Sequence, residues 1–249
     1  MNLKKIILYK EPAISEINTK LLTEFLEEKF PIKVEIRNNV FKEFSLEDIK
    51  KLSNIRITDI KNPFSEHKSS DDEIEFEKKL CEDSSVMNST TKVENAQEIS
   101  EVFMYDGFEL QKILRYLNEG NEVLHIILTN RLTCTFDEND KRYHARAVIC
   151  ANPSIISTTG IIEAPAKPKE YYFEVMKLRT QGLDIESAKE KYKDKFLEYN
   201  DKRLTKVLEG YILQVIFYNI TGESFCEDVE CRFCLLYTSP SPRDVSTAR

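Results

Sequence analysis

The chain has 249 residues, with 36 Lys and Arg against 43 Asp and Glu, a formal charge of -7 and a pI near 5.3. That balance excludes a general nucleic-acid binder, whose surface is basic, and no apolar run approaches the ~20 residues that cross a bilayer. The start, MNLKKIILYKEPAISE, has an apolar run too short for a signal peptide. Six cysteines in such a chain favour free thiols or metal ligands over a disulfide framework, and a cytoplasmic location is expected.

Residues 3 to 37 read as a βαβ unit. Lys4 to Tyr9 is a short apolar strand, and Ile14, Ile17, Leu21, Leu22, Phe25 and Leu26 follow helical spacing. Pro31 stops that helix, and Ile32 to Ile36 alternates as a second strand. Ser45 is an N-cap candidate for a helix through Leu52, with Asp48 in the capping-box position. Residues 61 to 104 are polar and Ser/Thr-rich. They predict a long flexible insertion with one small helix near Glu73 to Leu80.

Order is expected again at Tyr105, with a helix to about Leu117. Strands follow at Val123 to Leu128, Leu132 to Phe136 and Arg142 to Cys150, with a turn at Asp137 to Asp140. Gly160 to Pro168 reads as a Pro-punctuated link, with Pro168 just inside the next helix. Helices are predicted at about Lys169 to Thr180, Ile185 to Leu197 and Arg203 to Ile220. A βαβ start, further strands and then helices give an α+β fold with a mixed sheet and a helical C-terminal half, in one domain over residues 1–233.

The densest polar cluster is DENDKRYHAR, Asp137 to Arg146. On one extended strand His144, Arg146, Val148 and Cys150 share a face. A His beside two arginines, with Glu163 and Lys167 near, suits anion binding or acid–base work. A solvent-facing strand edge is the plainer alternative. Glu163 is the only carboxylate between Asp140 and Glu170, and if buried it needs Arg142 or Arg146 as partner. His125, inside an apolar strand, reads as a satisfied core residue, and His67 falls in the insertion.

From Tyr211 to Ile220 only Gln214 and Asn219 are strongly polar, as in a buried central helix, and Gly222 supplies its left-handed end. Cys226 and Cys231 offer two of the four ligands of a structural zinc site, or two free thiols.

The run YILQVIFYNITGESFCEDVEC, Tyr211 to Cys231, resembles the archaemetzincin signature H-E-x-x-H-x-x-G-x-x-H-C-x4-C. Gly222, Cys226 and Cys231 are in register with it, while the ligand and base positions read Val215, Ile216, Asn219 and Phe225. FELQKILR from Phe108, RLTCTFDENDKRYHARAVIC from Arg131 and PSIISTTGIIEAPAKPKEYY from Pro153 carry the likeness further. Between Lys4 and Phe233 the chain resembles an archaeal family of metallopeptidase-related proteins close to the archaemetzincins.

The resemblance implies a zincin-like fold. The four departures imply loss of H-E-x-x-H zinc proteolysis, and hence a binding or regulatory protein for another protein or a small ligand. The alternatives are a hydrolase with a relocated site at His144, Arg146 and Glu163, or an assembly protein held by zinc on Cys226 and Cys231. LLYTSPSPRD, Leu235 to Asp244, resembles a translated sequencing adapter, so residues 234–249 are expected to be an artefactual tail, a Ser/Pro-rich disordered tail being the alternative.

Overall fold

The computed structural model describes residues 3–11, 14–59, 67–83 and 103–223. In chain order these form β1 (Lys5–Lys10), α1 (Thr19–Lys29), β2 (Lys33–Arg37), a 3-10 turn (Val40–Glu43), α2 (Leu46–Asn54) and α3 (Asp71–Glu82). Next come β3 (Met104–Asp106), α4 (Gly107–Ile113) with a 3-10 turn (Leu114–Leu117), β4 (Val123–Thr129), β5 (Leu132–Asp137) and β6 (Arg142–Arg146). The rest is β7 (Val148–Ile149), β8 (Ser154–Ser157), α5 (Thr158–Glu163), α6 (Lys169–Thr180), α7 (Glu186–Tyr192), a 3-10 turn (Lys193–Lys195) and α8 (Leu204–Thr221).

The larger sheet has the order β2-β1-β4-β8-β7, parallel except for the β7–β8 pair. A second sheet runs β3-β5-β6, with β3–β5 parallel and β5–β6 antiparallel. The fold is therefore α+β with an N-terminal βαβ unit, as the sequence indicates, and its strands divide between two mixed sheets where one was expected.

Strand β1 is buried on both faces, so its residues divide between two cores. Ile6 and Leu8 join Leu124, Ile126, Leu128 and Ile156 under Leu22 and Leu26 of α1 and Leu208, Ile212 and Val215 of α8. Ile7 and Tyr9 join Ile127 and Ile155 against Phe41, Ile49, Leu52, Leu110 and Leu114. Truncating one such residue to Ala costs about 2–5 kcal/mol.

The capping box at Ser45 and Asp48 is present on α2. Gly222 ends α8 in the left-handed region at φ 79°, its N–H donating to Tyr218 O. No helix of the described residues is long and apolar enough to cross a membrane.

Five features depart from the sequence reading. Helix α1 starts at Thr19, with Asn18 as N-cap, and Ile14 and Ile17 reach the core ahead of it. Residues 67–83 of the expected flexible insertion are an ordered segment, because Leu80 and Cys81 of α3 are buried; the remainder of that stretch, 61–66 and 84–102, lies outside the described residues.

The strand expected from Arg142 to Cys150 breaks at Ala147. Arg146 pairs with Thr133 in the second sheet, whereas Val148 pairs with Ile156 in the first. The buried four-residue β8, too short to show alternation, was not foreseen. Helix α5 replaces much of the expected link, with Ser157 Oγ accepting from Gly160 N at 2.8 Å. Gly160 is required there, because a Cβ would stand 2.2 Å from Arg146 O.

Candidate functional site

Helix α8 carries the frame that resembles a zinc-peptidase helix. Val215 and Ile216 are 0% and 2% exposed and belong to the core shared with β1 and β4. Their hydrocarbon side chains offer no lone pair to a metal and no proton to move. Asn219 is half-buried, and its Oδ1 has no hydrogen-bond partner. Phe225, Cys226 and Cys231 lie outside the described residues.

The β5–β6 hairpin holds a different set. The register places Thr135 opposite His144 and Thr133 opposite Arg146, so these four share one face. Arg146 Nε donates to Thr135 Oγ1 at 2.7 Å, and Thr133 Oγ1 donates to Arg146 O at 2.9 Å. At the hairpin end His144 Nε2 lies 2.8 Å from Asp140 Oδ2. Asp137 Oδ1 accepts from Asn139 N at 2.8 Å and Asn139 Nδ2 at 3.0 Å.

One potential ligand atom from each of Asp137, Asp140 and His144 lies within 4.8 Å of the others. The hydrogen bond from His144 holds the Asp140 carboxyl below its usual range. Two carboxylates and one imidazole form a hard, oxygen-rich set that suits a divalent cation such as Mn²⁺ or Zn²⁺. The sequence reading had His144 in this set but neither carboxylate, although the spacing of Asp137 and Asp140 across the turn was in view.

Glu163 has a different partner. It is exposed at the end of α5 and accepts from Tyr199 Oη at 2.9 Å, so its partner is a phenol and not Arg142 or Arg146. Burial, with Glu163 beside it, pushes the Tyr199 hydroxyl well above the usual tyrosine range. Thus the hairpin brings His144 and Arg146 onto one face, and α5 engages Glu163 in a separate contact. His125 is a core residue, as expected, but it is not fully satisfied, since its buried Nε2 has no hydrogen-bond partner. It is fully buried, with Nδ1 3.1 Å from Tyr9 Oη.

A second constellation escaped sequence reasoning. Glu11 follows β1, Arg131 follows β4, Arg56 follows α2, and Glu77 sits on α3, all 93% or more buried. Arg131 Nη1 donates to Glu11 Oε1, and Arg131 Nη2 donates to Glu77 Oε1 at 3.2 Å. Arg56 Nη2 and, at 3.0 Å, Tyr105 Oη both donate to Glu77 Oε2. Glu11 Oε2 accepts from Thr129 Oγ1 at 3.0 Å and Asn130 N at 2.9 Å.

Both guanidiniums lie over aromatic rings, Arg131 at 4.1 Å from the Phe41 centroid and Arg56 at 4.8 Å from that of Phe103. Burial alone pulls the Arg131 guanidinium down, but the Glu11 and Glu77 carboxylates more than reverse it. Burial pushes the neighbouring Cys81 thiol up to about 12, which leaves it an unreactive thiol. The readable signal was on α3, where Ile74, Glu77 and Cys81 share one helix face, so that Glu77 interrupts an apolar stripe.

Residues 2–238 match the family described as "Probable metallopeptidase family (DUF6775)". No curated protein and no solved structure matches the chain.

Proposed function

The chain belongs to that metallopeptidase family, and from this premise we propose that it is a binding or regulatory member that does not hydrolyse peptides from helix α8. One observation carries the reading. Where a zincin-type helix places its first His and its general-base Glu, this chain places Val215 and Ile216 inside the core. The archaemetzincin-like register and zincin-type fold are part of the same proposal. The bound species is a protein or a small ligand.

The family implies a metal, and two donor sets can be compared with it. The described part of α8 does not fit, since Val215 and Ile216 are hydrocarbon and Asn219 offers only a neutral amide. The hairpin set fits, with Asp137, Asp140 and His144 as the residues that would hold a divalent cation. Such a cation would supply Lewis acidity at the hairpin surface. Arg146, fixed through Nε by Thr135, places a positive charge on the same face to orient an anionic group. Cys226 and Cys231 are proposed as a separate structural zinc pair.

A second reading is favoured by that same cluster. His144, Arg146 and Glu163 would serve a relocated hydrolase, with His144 as the group that would move a proton and Asp140 fixing the position of its ring. The test uses the full chain, with bound metal measured by elemental analysis after zinc or manganese loading and cleavage followed on a mixed peptide library. The expected result is no cleavage with added zinc, and hairpin metal lost in His144→Ala. Cleavage abolished by His144→Ala overturns the binding reading in favour of the hydrolase. Metal lost only in Cys226→Ser moves the metal to the Cys pair.

A further inference from the structure

The buried charge cluster occupies a particular place in the topology. The chain leaves β1 for β2 on one side, while β4 lies on the other side of β1, so the strand order reverses between β1 and β4. In open parallel sheets, ligands bind at the carboxyl ends of the strands that flank such a reversal. Glu11 directly follows the end of β1, and Arg131 lies two residues past the end of β4. What fills the position here is a side chain delivered by α3.

Glu77 is held as a bound carboxylate is held. Each of its oxygens accepts from a different guanidinium, and Oε2 also takes the Tyr105 hydroxyl. The donors are not exhausted by it. Arg131 Nε, Arg56 Nε and the nearby Ser53 Oγ are buried and make no hydrogen bond, although buried donors are nearly always paired. The ion count is also specific. Without Glu77, Arg131 keeps Glu11 while Arg56 has no carboxylate partner among the described residues, and one further negative charge restores the balance.

From this arrangement we propose that Arg56, Arg131 and Tyr105 form a recognition site for one carboxylate, which Glu77 fills when α3 is docked and a carboxylate-bearing small molecule fills when α3 is displaced. The charge count selects a monoanion over a phosphate dianion. The proposal goes beyond the reading of α8 and holds whether or not that helix is catalytically silent.

The test is Glu77→Ala in the full chain, melted in sodium acetate, sodium phosphate or sodium chloride at matched ionic strength. At roughly tenfold excess over its dissociation constant, acetate is expected to raise the variant's Tm by about 4 °C over chloride. Adding Arg131→Met to the variant should abolish that gain. An acetate effect no larger than that of chloride overturns the proposal, and phosphate outperforming acetate overturns the monocarboxylate assignment. If Glu77→Ala does not fold, amide hydrogen exchange of α3 in the unaltered chain decides. Faster α3 exchange in acetate than in chloride supports displacement, and equal exchange overturns it.

Discussion

The hairpin cluster and the cluster beneath α3 draw on the same kinds of side chain and differ in almost everything that follows from burial. Asp140 and His144 have side chains 38% and 41% exposed, so their 2.8 Å contact works against water and salt. Glu11, Glu77 and Arg131 are at most 1% exposed, and each must have its charge answered by a neighbour fixed in the fold. The first cluster can exchange partners at little cost to the fold. The second loses a member only at a cost in stability, unless another charge of the same sign takes its place. Residue type alone therefore separates neither metal site from ion pair nor structural charge from recognition site.

The comparison is most easily broken at Arg131. Arg131→Met leaves Glu11 and Glu77 buried without their shared cation, and a loss of about 3–5 kcal/mol in urea unfolding is expected. An unchanged midpoint would mean that water reaches the carboxylates. Next is Gly160→Ala, which drives a methyl against Arg146 O and should cost about 1–3 kcal/mol as overpacking.

A smaller effect separates the buried His125 from the exposed His144. Tyr9 Oη accepts from Arg37 Nη1 and lies 3.1 Å from His125 Nδ1, while His125 Nε2 is buried without a hydrogen-bond partner. Burial holds the His125 pKa below its usual value. As pH falls below about 6.5, the unfolded chain takes up a proton that the folded chain refuses, so stability drops there and is fully present above. Urea midpoints followed from about pH 7 to 5 should fall in the unaltered chain and fall less in His125→Gln. The smallest effect belongs to Asp140→Asn, for which no measurable change in Tm is expected. Its readout is loss of divalent-cation binding in a metal titration.

What was legible in the chain was local. Ser45 and Asp48 announce the start of α2, and Gly222 the end of α8, because capping chemistry acts within a few residues. The apolar run of β4 identifies a strand buried on both faces. The β6–β7 break was not legible, since a tertiary packing event at Ala147 leaves no mark on the alternation of Arg142 to Cys150. Nor was the ion cluster, whose members come from Glu11, Arg56, Glu77 and Arg131 and meet only when α3 packs across the strand ends. The His144 neighbourhood was half legible: strand periodicity placed His144 with Arg146, but the pairing of Glu163 with Tyr199 depends on α5, which composition reads as a link.

The crossing at Ala147 has a mechanical consequence. A single residue carries the chain from one sheet to the other, and its carbonyl accepts from Ser157 N at 2.8 Å while Gly160 rests on the carbonyl of Arg146. The connection is closely held, because one backbone segment, the end of β8 and the first turn of α5, packs against both of its carbonyls. The β5–β6 hairpin thus behaves as a short lever whose pivot is bolted to the end of β8. A pull on the hairpin tip, or a cation drawing Asp137 and Asp140 toward His144, would be transmitted to the first turn of α5 before any loop could absorb it.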